Sequence, residues 1–383
     1  GHTIVRAPVA QMADALSSLS LLDDWDVAVA ANVSLEVVKF INSTLGKHGR
    51  LIKAAMCHDY CGAPFGPFSH LEPADRITSR AALTGWALLC DSAHTAAYIE
   101  RHARREGVPL IGALCCYGAT YNYFDVGSAP EPPLLLSTHR DSMVYCTIIS
   151  PCVPKGLSLF LRICRMLPRV PFAACLTSWS NEAVQMLLKR YPNVTPLESS
   201  ARVDDIYEQT RVLLVPSIWP EAFGLVATEA CARGIPCVST LNGGLAEANT
   251  LATVKGFEHC AVRATLFHDQ AGKCILRNTS MEAVEEAQTP LCGPAADVAA
   301  VAAGDGQRAI EAKHDVDKLL ACIMAVATED EARPYASAIA RLMEDEAHYA
   351  EASAAARESG QAFIRKHRGR FAHMLTELTK SDQ

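Results

Sequence analysis

The sequence predicts an α/β protein made of two doubly wound parallel sheets, and three observations carry that prediction. Short apolar runs of strand length alternate with stretches of helical period, the pattern of a parallel sheet covered on both faces. The alternation runs twice, interrupted at residues 129–136 by Pro130, Pro132 and Pro133, a composition that suits a linker. The 383 residues also suffice for two domains at roughly 100 to 200 residues each.

In the first domain, residues 1–136, strands are expected at Asp26 to Ala30, Leu51 to Cys57, Trp86 to Cys90 and Pro109 to Cys116. Helices at Leu35 to Leu45 and His94 to Glu106 lie between them. The latter closes on Arg101, Arg104 and Arg105 and then Gly107, cations at the negative helix end followed by a terminating glycine. In the second domain, residues 137–332, strand Tyr145 to Ser150 leads into helix Gly156 to Met166, and strand Phe172 to Thr177 into helix Asn181 to Arg190. Strand Val194 to Glu198 leads into a helix near Asp204 to Gln209, strand Arg211 to Pro216 into helix Phe223 to Arg233, and strand Pro236 to Thr240 closes the series. Residues 254–306 are alanine-rich and broken by glycine and proline, and are expected as an irregular insertion. A charged helical segment fills 333–383, and no internal repeat is visible. Two doubly wound sheets facing a cleft place ligands beyond the carboxyl ends of the strands.

Composition removes several classes of function. With 42 acidic against 35 basic side chains and a net charge of −7, the chain has no cationic excess for phosphate neutralisation, so nucleic acid is not an expected partner. No apolar run reaches the length of a membrane span. The 15 cysteines are scattered singly, apart from Cys115 and Cys116, and read as reduced, buried thiols of a reducing compartment, cytoplasmic or organellar. Four glycosylation tripeptides, at Asn32, Asn42, Asn193 and Asn278, are of a kind that arises readily by chance.

The most informative segment is Val215-Pro216-Ser217-Ile218-Trp219-Pro220-Glu221-Ala222-Phe223-Gly224-Leu225-Val226-Ala227-Thr228-Glu229-Ala230. A buried strand enters a loop with one carboxylate, then a glycine at a helix start, then a second carboxylate two turns on. Free amides of Phe223, Gly224 and Leu225 at that start suit a diphosphate. A carboxylate beside a phosphate repels it, so Glu229 is expected to accept from a ribose hydroxyl and Glu221 from a sugar hydroxyl. This stretch, extended through Ala232-Arg233-Gly234-Ile235-Pro236-Cys237-Val238 and Gly243-Gly244-Leu245-Ala246-Glu247, resembles the E-x7-E signature of retaining glycosyltransferases of family 4, which adopt the GT-B fold. The resemblance covers residues 145–247. It takes in Asp205-Ile206, the run from Thr210 to Ser217, and Pro151-Cys152-Val153-Pro154-Lys155-Gly156, similar to the turn that opens the C-terminal domain of these enzymes.

The resemblance implies that Lys155 binds the donor diphosphate and offsets the charge on the leaving nucleotide, although a lysine there also serves simply to cap a turn. The arginine that many members carry just before this lysine is replaced by Ser150 and Pro151. Met56-Cys57-His58-Asp59-Tyr60 resembles the family's loop facing the donor sugar, which gives His58 a neutral imidazole for a sugar hydroxyl; a structural loop histidine is the plain alternative. Cys57, His58 and Cys61 make a poor tetrahedral zinc set, so no metal is expected. Gly1-His2-Thr3-Ile4-Val5 looks like the family's second strand, so the chain is expected to lack the first β-α unit. The final helix, with Phe363, Phe371 and Leu375, resembles one that crosses back onto the first domain.

Together these imply transfer of a sugar from a nucleotide-diphosphate sugar to a hydroxyl acceptor, with retention and with no cofactor beyond that donor. Two alternatives stand beside it. One is an inactive GT-B protein serving as an assembly subunit with protein partners, favoured by the absent unit and arginine; the other is a GT-B enzyme of different chemistry such as an epimerase. The donor base, the sugar and the acceptor are not specified by these residues.

Overall fold

A computed structural model of the chain describes residues 27–45, 51–117, 144–262 and 320–380, less positions 67, 70, 179, 181, 321, 322, 325 and 326. The start of the chain, the proline-rich stretch at 129–136 and residues 263–306 of the expected insertion lie outside the described residues. The chain divides into two units, residues 1–127 with 367–383, and residues 128–366.

The N-terminal unit holds strands β1 (Val27–Ala30), β2 (Ile52–Cys57), β3 (Ala87–Cys90) and β4 (Gly112–Cys115), paired in that order and all parallel. Helices α1 (Leu35–Phe40, continuing as a π-helical turn to Leu45), α2 (Pro73–Ala82) and α3 (Ala93–Arg105) connect them. Ser92 caps α3 by accepting from the Thr95 amide at 3.0 Å. Gly107, at φ +69°, follows its end as expected. Helix α2 is not predicted by the apolar pattern, because its sequence PADRITSRAA buries only Ser79. Ile52, Ala54, Met56, Ala87 and Leu89 build one face of the sheet's core.

The C-terminal unit holds β5 (Tyr145–Ile149), β6 (Phe172–Cys175), β7 (Val194–Leu197), β8 (Thr210–Val215), β9 (Cys237–Thr240) and β10 (Ala261–Val262). They are all parallel, in the order β10-β9-β8-β5-β6-β7. Renumbered within the unit this is 6-5-4-1-2-3, the doubly wound order, with its reversal between β5 and β8. The connecting helices are α4 (Leu157–Met166), α5 (Glu182–Leu188), α6 (Asp204–Tyr207), α7 (Leu225–Ala232) and α8 (Leu245–Ala248). Residues 254–262, expected as irregular, include a 3-10 turn and the edge strand β10.

Three helices follow, α9 (Glu329–Glu344), α10 (Glu346–His367) and α11 (Arg370–Lys380). Thr328 and Glu331 form a capping box that starts α9. The segment 333–383, expected to return to the first domain as one piece, is shared instead. Residues through 366 group with the C-terminal unit, where α9 packs on α4, β8 and β9. The last helix alone lies in the N-terminal unit, laying Phe371, Met374, Leu375 and Leu378 on its core.

No helix among the described residues is long and apolar enough to cross a membrane. Of the 12 free cysteines among them, only Cys61 and Cys115 are not buried. Burial pushes the Cys61 and Cys260 thiols each up to about 12, so these sulfurs are poor nucleophiles.

Candidate functional site

Lys155 and Glu221 follow β5 and β8, the two strands that flank the reversal. Their loops are bolted together by backbone. The Pro154 carbonyl accepts from the Ile218 amide at 3.0 Å and the Trp219 amide at 3.1 Å. Gly156 sits at φ +82°, and a Cβ there would lie 1.9 Å from the Pro216 carbonyl oxygen. Only glycine permits that approach. The backbone of Glu221 is fixed equally firmly, with its amide 3.3 Å from the Asn242 carbonyl and its carbonyl 2.7 Å from the Gly244 amide. A Cβ on Gly243 would meet that same Glu221 carbonyl oxygen at 2.4 Å.

The side chains then meet. Lys155 Nζ donates to both carboxylate oxygens of Glu221, at 2.6 Å to Oε1 and 2.7 Å to Oε2. Ser217 Oγ donates to Oε1 at 2.6 Å. The two residues expected to take opposite ends of a donor, Lys155 the diphosphate and Glu221 the sugar, are therefore brought together on one another.

Helix α7 begins later than expected. Gly224 occupies the cap at φ +97°, with no room for a Cβ against Leu245. That left-handed residue breaks the helical run, so Phe223 stands outside the helix, its ring stacked on Phe363 at 5.9 Å. Of the expected amides, those of Gly224 and Leu225, and with them that of Val226, make no backbone hydrogen bond among the described residues. The Ala227 amide has already turned back to the Gly224 carbonyl at 2.9 Å.

Glu229 lies on α7 and is 8% exposed. Its Oε2 accepts from the buried Tyr207 hydroxyl at 2.7 Å. Arg233 covers the Tyr207 ring at 4.8 Å, pairs with Asp204 at 2.8 Å and reaches the Glu229 carbonyl at 3.1 Å. One carboxylate oxygen is thus held by the fold, leaving Oε1 for an outside donor.

In the N-terminal unit, His58 follows β2, and its ring nitrogens meet groups beside the neighbouring strands. Nδ1 lies 3.1 Å from Asp91 Oδ2, and Nε2 lies 3.1 Å from the Ala31 carbonyl oxygen. A carbonyl and a carboxylate are both acceptors, so this pair of contacts favours the protonated ring over the neutral one expected. The Asp91 hydrogen bond, aided by that residue's charge, outweighs partial burial and raises His58 above the ordinary value of 6.5. Among the described residues no group of three His, Cys, Asp or Glu side chains could hold a metal ion.

Sequence reasoning missed Ser217, Tyr207 and Asp91. Ser217 and Asp91 each stand just past a strand end, a signal that was available. Tyr207 lies 22 residues from Glu229, and no local pattern connects them.

The family model described as Glycosyl transferases group 1 matches residues 180–258, the segment that contains Ser217, Glu221, Gly224 and Glu229. No curated protein matches the sequence. Among solved structures, Alr3699/HepE of Anabaena in complex with UDP and glucose is similar over 96% of this chain and 81% of its own, at 14% identity and a TM-score of 0.55. The catalytic domain of starch synthase IV from Arabidopsis thaliana, bound to ADP and acarbose, is similar over 93% and 76%, at 12% identity and a TM-score of 0.44. A glycosyltransferase from Rickettsia africae is similar over 90% and 84%, at 12% identity and a TM-score of 0.46. Residues 180–258 are thus similar to the glycosyl transferases group 1 model, and the two Rossmann-like units are consistent with the GT-B fold.

Proposed function

We propose that this chain moves a sugar from a nucleoside diphosphate sugar to a hydroxyl acceptor, with retention and without a metal. The observation that carries the proposal is the Lys155–Glu221 pair at the reversal between β5 and β8, followed along the chain by the start of α7 with three amides outside the backbone hydrogen bonds and by Glu229 with one oxygen held. Ligands of doubly wound sheets bind at such reversals. Helix amides and Lys155 suit the diphosphate, and Glu229 Oε1 suits a ribose hydroxyl.

In the reaction the bond from the anomeric carbon to the diphosphate oxygen breaks, and a bond to the acceptor oxygen forms. The acceptor proton passes to the departing diphosphate on the same face. Lys155 and the α7 amides stabilise the charge on that leaving group, and Glu221 orients the sugar hydroxyls. The family resemblance assigns His58 to the sugar as well. The sequence has Ser150 and Pro151 where relatives carry arginine.

That replacement also favours a second proposal, a GT-B subunit that binds nucleotide, does not transfer, and acts through protein partners. A transfer assay with intact donor separates the two.

The test of the nucleotide grip is thermal unfolding with UDP, GDP and ADP. UDP heads the panel because the Anabaena neighbour was solved with it. Ligand at a hundred times its dissociation constant adds about 2.7 kcal/mol of stability. One nucleotide should shift the parent and leave Glu229→Ala unshifted. A panel without any shift would remove the proposal.

A further inference from the structure

The cation proposed for the diphosphate and the carboxylate proposed for the sugar hold each other. Glu221 accepts Lys155 on both oxygens and Ser217 on one. Its side chain is 11% exposed against 39% for Lys155. Its backbone is pinned by Asn242 and Gly244. The lysine is the partner able to swing, and the carboxylate stays in place.

We infer that donor binding is an exchange. The diphosphate takes Lys155 from Glu221, and the carboxylate so released takes the sugar hydroxyls. The inference rests on the donor-binding function proposed above and goes beyond it by coupling the two ends of the ligand. When both ends are present, the lysine exchanges a carboxylate for a phosphate, and the carboxylate exchanges an ammonium for hydroxyl donors. When the sugar has left, Glu221 keeps its hydrogen bond from Ser217 and its charge faces a diphosphate anion, a repulsive juxtaposition. Recapture of Lys155 relieves it and expels the product. The pair thus selects intact donor over spent nucleotide and speeds the release of the latter.

An arrangement in which Lys155 and Glu221 act independently predicts something different, because removing the carboxylate's charge would then leave spent nucleotide unaffected. Glu221→Gln keeps the side-chain shape and the Ser217 hydrogen bond while freeing Lys155. Titration calorimetry with UDP, followed by GDP and ADP where UDP is silent, should show the variant binding the nucleoside diphosphate about fivefold more tightly than the parent, the scale of a partly exposed ion pair. The gain should vanish in Lys155→Met/Glu221→Gln. Melting temperatures of the variants near that of the parent establish that all are folded. Equal or weaker binding by a folded Glu221→Gln overturns the exchange while the nucleotide grip stands. Absence of binding by parent and variant alike overturns both.

Discussion

The turn that carries Lys155 and the loop that carries His58 leave parallel strands at their carboxyl ends, yet they are built from different materials. Around Lys155 the contacts are backbone on backbone, with Gly156 pressed against the Pro216 carbonyl and Pro154 bonded to Ile218 and Trp219. Around His58 they are made by side chains. Asp91 holds the ring, and Asp59 Oδ1 takes the Gly62 amide at 2.6 Å. A Cβ on Gly62 would meet that carboxylate oxygen at 3.4 Å, an ordinary contact. Backbone packing sets a position that single side-chain changes cannot relax, whereas a side-chain clamp can be retuned one residue at a time.

The largest effect that tests this contrast comes from adding one methyl group to each loop. Gly156→Ala forces a left-handed alanine into a backbone oxygen and should destabilise the C-terminal unit by about 3 kcal/mol or more. Gly62→Ala should change stability by less than about 1 kcal/mol. Urea denaturation of both variants checks the pair, and equal losses would erase the distinction.

A smaller effect separates the units by pH. His259 and His348 lie with ring centroids 5.4 Å apart, and His348 stacks on Phe257 at 5.6 Å. Burial comes first in lowering both, and Arg341 adds to it; Glu258 opposes for His259, and Asp345 and Glu351 for His348. Their contribution to stability is complete above the ordinary histidine value and fades as pH falls through it. The contribution of His58 has the opposite sign. It is complete below 6.5 and fades as pH rises through the raised value. Between pH 7 and 5.5, hydrogen exchange measured relative to the intrinsic rate of an unfolded amide should therefore accelerate around Phe257 and His348, and not around β2. His348→Phe should blunt that acceleration.

The smallest change is confined to one ring. Asp91→Asn should bring the His58 titration, followed by NMR, down toward the ordinary value while leaving the melting temperature close to that of the parent. A His58 titration unmoved by this change would remove Asp91 as its clamp.

Much of the fold was legible because most strands of these sheets are built on a short apolar run, as Val212 to Val215 is in β8, and most of the helices between carry an apolar stripe. Helix α2 escaped because its residues bury almost nothing. The start of α7 was misplaced by the left-handed Gly224, which a composition-based reading treats as one more helical position. Residues 333–366 were grouped with the first domain because periodicity reports that a helix has an apolar face and not what covers it. In the site, Glu221, Glu229 and Lys155 were legible one at a time. That Lys155 chelates Glu221 across 66 residues follows from the adjacency of β5 and β8, which the sequence does not display.

The placement of the last helix bears on how the chain is made. Phe371, Met374, Leu375 and Leu378 cover Ile52, Ala54, Met56, Ala87 and Leu89, so the unit begun first is finished last. At ribosomal speeds of about 5 to 20 residues per second, the stretch from β4 to the final helix takes roughly 13 to 50 s to emerge. During that interval the early sheet stands with part of its apolar face bare, while the later unit can already close. A nascent chain stalled before Arg370 should therefore hold a finished C-terminal half behind an open N-terminal one, the species on which a chaperone would act.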